Sequence, residues 1–135
     1  MILNKSKISQ GFILAGLMNL TVLVFSRFFT NSTINALDPD VMSNFGILMI
    51  VLWGLAYIAV ATSYQKVKWL VLVFAIEKLV YGYVWITWML KNSLSKVFEQ
   101  DLMAGLFYSI YGINDLLFSI FFFYVFYGKM KSSVS

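Results

Sequence analysis

Glu77 and Lys78 stand side by side near the middle of a 22-residue apolar stretch, Trp69–Leu90. Two other apolar stretches carry polar groups, Asn19 in one and Asn114 with Asp115 in the other. Tyr81, Tyr108 and Tyr111 flank these positions at helical spacing. A charge at the centre of a bilayer costs at least ~2.5–3.5 kcal/mol, so it persists only against protein, water or a partner charge. Two carboxylates and one ammonium could bind a small molecule or a lipid headgroup, or pass a proton or cation across the membrane. They could also do acid–base work, or only fix helix register as a compensated cluster. Nothing marks a substrate for catalysis, so no catalytic residue is assigned and the chain is not read as an enzyme.

The candidate binding residues are therefore Asn19, Glu77, Lys78, Tyr81, Tyr108, Tyr111, Asn114 and Asp115. The elements that must position them follow from hydropathy. Of 135 residues, 61% are hydrophobic and only 12% charged, and the mean hydropathy is +0.82. A hydrocarbon core of ~30 Å needs ~20 apolar residues in a helix. Four stretches qualify, 11–30, 44–63, 69–90 and 102–127, which leaves room for one domain. The expected fold is all-α, an integral membrane bundle of four antiparallel helices.

The apolar run after Lys5 and Lys7 is longer than a signal-peptide core and has no cleavage pattern, so it is read as the first span. Asn31–Leu37 reads as a polar loop. The triplet Asn31-Ser32-Thr33 matches a glycosylation sequon but hugs the membrane, and it is not read as a modified site. Asp38-Pro39-Asp40 reads as the start of the second helix, with Asp as cap and Pro in the first turn. Small residues Gly46, Gly54, Ala56, Ala59 and Ala61 suit close packing of that helix. Lys91–Asp101 repeats Leu94, Val97, Phe98 and Leu102 at helical spacing, so it lies along the interface or lengthens the fourth helix. The rings of Phe121–Tyr127, with Trp69, Trp85 and Trp88, suit lipid-facing and boundary positions.

Cysteine and histidine are absent. Disulfides, thiol chemistry, Cys or His metal sites and His-based triads are thereby excluded, and no cofactor or metal is expected. The net charge of +4 sits in lysine pairs beside apolar spans, not on one basic face, so no nucleic-acid partner is expected. Lys5, Lys7, Lys66, Lys68, Lys129 and Lys131 all fall on the side of the termini, which predicts cytoplasmic termini. The opposite loops hold Lys91 and Lys96 against Asp38, Asp40, Glu99 and Asp101. Arg27, near the outer end of the first span, can reach the headgroups.

Depth sets the site. Glu77 is ~13 Å from the inner end of its helix, Asn19 ~12 Å and Asp115 ~18 Å. All three thus approach one level in the inner half. Glu77 and Lys78 diverge by ~100° about the axis, so one partner cannot serve both. Lys78 is too deep to snorkel. The expected pairing is Lys78 with Asp115, where Gly112 leaves room for the lysine, and Glu77 remains the acid free to bind or titrate.

The phrases LWGLAYIAVA (Leu52–Ala61), LVFAIEKLVY (Leu72–Tyr81) and YGINDLLFSIFF (Tyr111–Phe122), with the length and four spans, resemble the small bacterial membrane proteins grouped as DoxX-like. That resemblance implies a four-helix fold in a bacterial cytoplasmic membrane and carries over no functional residue. Small multidrug transporters are similar in size, but they hold their essential glutamate in the first span, where this chain has Asn19. The expected function is binding of a small molecule or membrane lipid at the polar cluster, as an accessory or sensory subunit. The alternatives are a purely structural subunit and a proton- or cation-coupled transporter. The transporter reading implies a homo-oligomer, a dimer, because four short helices alone enclose little pathway.

Overall fold

The computed structural model describes residues 3–134, with side chains through Gly128. Every regular element among these residues is a helix. The first, α1 (Lys5–Leu20), starts where the Asn4 side chain accepts the Lys7 N–H at 2.8 Å. Thr21 interrupts it by turning its hydroxyl onto the Met18 carbonyl, and α2 (Val22–Phe25) completes the segment. The span stops there, five residues short of the expected end at Thr30. Arg27, Phe28 and Phe29 have φ of 48°, 53° and 67°, a left-handed run that no helix can continue through. Such a conformation costs ~1–2 kcal/mol per L-residue. Side chains hold it in place: Ser26 Oγ accepts the Phe29 N–H at 3.2 Å, and Asn44 Nδ2 donates to the Phe29 carbonyl at 3.0 Å.

The expected loop at Asn31–Leu37 is a short helix, α3 (Ser32–Leu37), because Asn31 Oδ1 caps the N–H groups of Thr33 and Ile34. Asp38-Pro39-Asp40 does not start the next helix. Asp38 closes α3 in a non-helical conformation, and its carbonyl accepts the Met42 N–H at 2.7 Å. Asn35 Nδ2 holds the Met42 carbonyl in that turn, so the cap falls to Ser43, whose Oγ accepts the Gly46 N–H. The helix it opens is α4 (Asn44–Val60). A single 3₁₀ turn, Tyr64–Lys66, leads into α5 (Lys68–Lys91). The segment after it is a separate helix, α6 (Leu94–Gln100), divided from α7 (Leu102–Val134) by extended Asp101. Asp101 Oδ2 caps α7 through the Ala104 N–H at 2.9 Å.

Among the described residues, three segments are long and apolar enough to cross a membrane: Lys5–Phe25, Lys68–Lys91 and Leu102–Gly128. The fourth apolar helix, α4, is shorter at 17 residues.

The long helices pair antiparallel. On α1 and α4, Asn19 meets Ile50 while Gly16 lies against Gly54. A Cβ on Gly54 would come within 2.9 Å of the Gly16 carbonyl oxygen, so these helices touch backbone to backbone. On α5 and α7, Ser119 Oγ donates to the Ala75 carbonyl at 2.9 Å, Lys78 meets Asp115, and Trp88 stacks on Tyr108 at 4.2 Å. Trp85 lays its indole over Gly112 and donates to the Tyr108 carbonyl at 2.7 Å. Gly112 therefore seats a tryptophan and does not make the expected room for Lys78.

Two apolar cores result. One gathers Phe12, Tyr57, Phe74 and Phe122 from all four long helices, with Tyr64 stacked on Phe12 at 5.4 Å. The other gathers Ile34, Met42, Ile47, Trp88, Val97 and Tyr108. Between them lies a polar layer.

Candidate functional site

Lys78 is the centre of that layer and is 1% exposed. Its Nζ donates to Asp115 Oδ1 at 2.8 Å and to Asn19 Oδ1 at 2.6 Å. Asn19 uses its other end as well, donating from Nδ2 to the Ile50 carbonyl at 2.9 Å. One ammonium thus ties α5 to α7 and to α1, and through Asn19 to α4. Removing either acceptor would leave a buried charge short of a partner, which is why buried ion pairs are costly to break. The expected pairing of Lys78 with Asp115 is present.

Glu77 points to another neighbour. Tyr57 of α4 donates its hydroxyl to Glu77 Oε1 and lays its ring 5.2 Å from Lys78 Nζ. Among the described residues Glu77 has no ion pair; the two that exist are Lys78–Asp115 and Arg27–Asp101. Two carboxylates thus share the layer with one buried ammonium, and with both acids ionised it would carry one negative charge in excess.

Asn19, Glu77, Lys78, Tyr81, Tyr111, Asn114 and Asp115 all line one cavity of about 40 Å³. Asn114 donates from Nδ2 to Asp115 Oδ1 at 3.2 Å. Tyr111 is 8% exposed, and its hydroxyl is buried with no hydrogen-bond partner. An unpaired buried hydroxyl costs about 1–3 kcal/mol, so its place on a cavity wall calls for an occupant. Met18, Thr21 and Phe25 close the cavity from α1 and α2, and Ile110 closes it from α7.

Tyr108 stands apart from this set. Its hydroxyl donates to the Ile34 carbonyl at 3.0 Å, and its ring belongs to the second apolar core. Spacing alone put it beside Asp115, but a residue two turns along the helix meets a different layer. Tyr57 was missed: it sits inside an apolar run and reads as filler. The available signal was that it is the sole tyrosine of the second span.

Arg27 does not simply reach outward. It pairs with Asp101 at 2.6 Å, and Asp101 also accepts from Asn31 Nδ2 at 2.8 Å. This second polar cluster pins the left-handed turn to the start of α7.

No family model, curated protein or solved structure matches the chain.

Proposed function

We propose that the chain is a small integral membrane protein of four spans with cytoplasmic termini, which binds a small monovalent cation in the polar layer as an accessory or sensory subunit. The observation that carries the reading is the Tyr111 hydroxyl, buried and unpaired on the wall of a cavity it shares with Glu77. Size selects the ligand class. A drug-sized ligand fills about 300–1,000 Å³, whereas about 40 Å³ holds a few waters or a small ion. Charge selects the sign, since one added positive charge would neutralise Glu77, Lys78 and Asp115 together. Among the described residues no three His, Cys, Asp or Glu side chains gather, and the cavity is lined by the oxygen-bearing Asn19, Glu77, Asn114 and Asp115, which suit a hard cation.

Each long helix leaves apolar side chains exposed, including Leu14 and Leu17, Leu52 and Leu55, Val73 and Ile76, and Ile113 and Leu117. That supports lipid around all four, α4 included, although α4 itself rises only ~25 Å. Lys5 and Lys7 lie at the same end as Lys66 and Lys68, which supports cytoplasmic termini. The side chains of Lys129 and Lys131 lie outside the described residues.

The test is thermal stability of the full chain in mild detergent, with ammonium, sodium or potassium chloride against choline chloride at matched ionic strength. A ligand at ten times its Kd stabilises by about 1.4 kcal/mol. The expected result is stabilisation of wild type by one of these cations and none in Glu77→Gln. Stabilisation by acid alone would make the ligand a proton. Equal responses in wild type and variant would overturn the site.

A further inference from the structure

The cavity does not end at its polar wall. Tyr81, which lines it, also lines a groove of about 310 Å³ between α4 and α5. Val41 and the α4 residues Phe45 and Met49 form one side of that groove, and Val80 and Val84 of α5 form the other. Glu77, Tyr81 and Val84 follow at i, i+4 and i+7, so they share one face of α5. The two helices meet at one end through Tyr57 and Trp53 against Phe74, at 4.8 and 6.1 Å. The groove lies beyond that contact, where Asp40 lines its far end. Its walls are mainly apolar: Val41 and Tyr81 back onto the second core, while Phe45 and Val80 are 70% and 54% exposed.

A small chamber that holds Glu77, Lys78 and Asp115 among apolar side chains thus shares Tyr81 with a largely apolar groove several times its size. Each compartment suits one half of a single molecule. We propose that the ligand is a lipophilic primary amine: its ammonium head lies past Tyr81 against Glu77, and its apolar tail rests in the groove between α4 and α5. This rests on the small-cation site proposed above and adds to it the tail and the side from which the head enters. An ammonium offers the donors that Glu77 accepts and the formal charge that the layer lacks. It also leaves the Tyr111 hydroxyl a partner, since that oxygen can accept as well as donate. The tail gains little by leaving lipid for the groove, since both are apolar. The groove therefore supplies admission and shape more than affinity. Selectivity follows: a branched or bulky head is refused by the chamber, and a tail is tolerated only while the groove is open.

The experiment compares ammonium with hexylammonium as stabilisers of the purified full chain, each in wild type, Met49→Trp and Glu77→Gln. Comparing one ligand across variants cancels its partition into detergent. In wild type both ligands should stabilise, and hexylammonium should compete with ammonium. Met49→Trp should weaken hexylammonium at least tenfold and leave ammonium unchanged, because it fills the groove and not the chamber. Val84→Phe, on the opposite wall, should do the same and serves if Met49→Trp does not fold. Loss of both ligands only in Glu77→Gln, with groove variants behaving as wild type, would overturn the tail assignment while keeping the cation site. Loss of hexylammonium in Ile110→Trp but not Met49→Trp would place the tail between α1–α2 and α7, which also overturns it. No stabilisation by either ligand in wild type would overturn the amine assignment, and the underlying site would fall with it only if sodium and potassium also fail.

Discussion

Asn19 and Asp115 accept hydrogen bonds from the same ammonium, Lys78 Nζ, at 2.6 and 2.8 Å. They lie on α1 and α7, and the lysine comes from α5. A long cationic arm thus reaches across the bundle to two short acceptors on different helices. Both acceptors are nearly buried, so the charge has little other solvation.

That arrangement predicts strong coupling. Lys78→Met or Asp115→Asn alone should each cost roughly 3–5 kcal/mol, because each disrupts the charge balance of a buried pair. The double variant should cost less than the sum of the two. Thermal unfolding in detergent of the four proteins measures this, and strictly additive losses would count against the pair as a unit.

Backbone contact predicts steric intolerance on the opposite helix pair. Gly54→Ala places a Cβ 2.7 Å from that of Asn19 and 2.9 Å from the Gly16 carbonyl oxygen. Overpacking of this kind costs about 1–3 kcal/mol. A methyl at Gly128, inside α7, meets nothing within 4 Å, so Gly128→Ala should stabilise by up to about 1 kcal/mol in the same melts. Equal effects at the two glycines would deny the α1–α4 contact.

The outer cluster predicts a pH dependence of known sign. Partial burial pushes the Asp101 carboxyl up, but hydrogen bonds from Arg27, Asn31 and the Ala104 N–H, with the Arg27 charge, outweigh it and hold the group below its ordinary value of 3.8. An acid depressed in the folded state contributes stability that is full above its unfolded value and is lost as pH falls through the folded one. The gap in melting temperature between wild type and Asp101→Asn should be widest near neutrality and shrink in acid. Asp38 has the opposite sign, since burial raises its carboxyl above 3.8 despite a bond from the Val41 N–H. Asp38→Asn should therefore stabilise at neutral pH, with the gain fading as acid protonates the wild type. Gaps that widen in acid would reverse both assignments.

Topology can be read directly, because the chain has no cysteine of its own. Single cysteines at Ser6, Gln65 and Ser132 should react with an impermeant thiol reagent from the cytoplasm only. Cysteines at Ser32 and Asn92 should react only from outside. Labelling of Gln65 and Asn92 from one side would overturn the four-span reading.

Hydropathy alone determined the order of the apolar helices, and three of the four expected spans are long and apolar enough to cross a membrane. Burying or exposing about 20 consecutive apolar residues is an energy that depends on composition and not on partners. The need for Lys78 to find an anion was legible for the same reason, since a charge at that depth has few other solutions. Depth counting along the helices placed Asn19, Glu77 and Asp115 in one layer because the rise per residue is constant. The ends of the helices were not legible. Thr21, the left-handed turn at Arg27–Phe29 and the cap at Ser43 are decided by side chains such as Asn35 and Asn44, which come from elsewhere in the fold. Rotation about each axis was equally hidden. It gave Glu77 to Tyr57, filled the space above Gly112 with Trp85 and withdrew Tyr108 into an apolar core. Helical spacing fixes which residues share a face, but only packing against the other helices decides what that face meets.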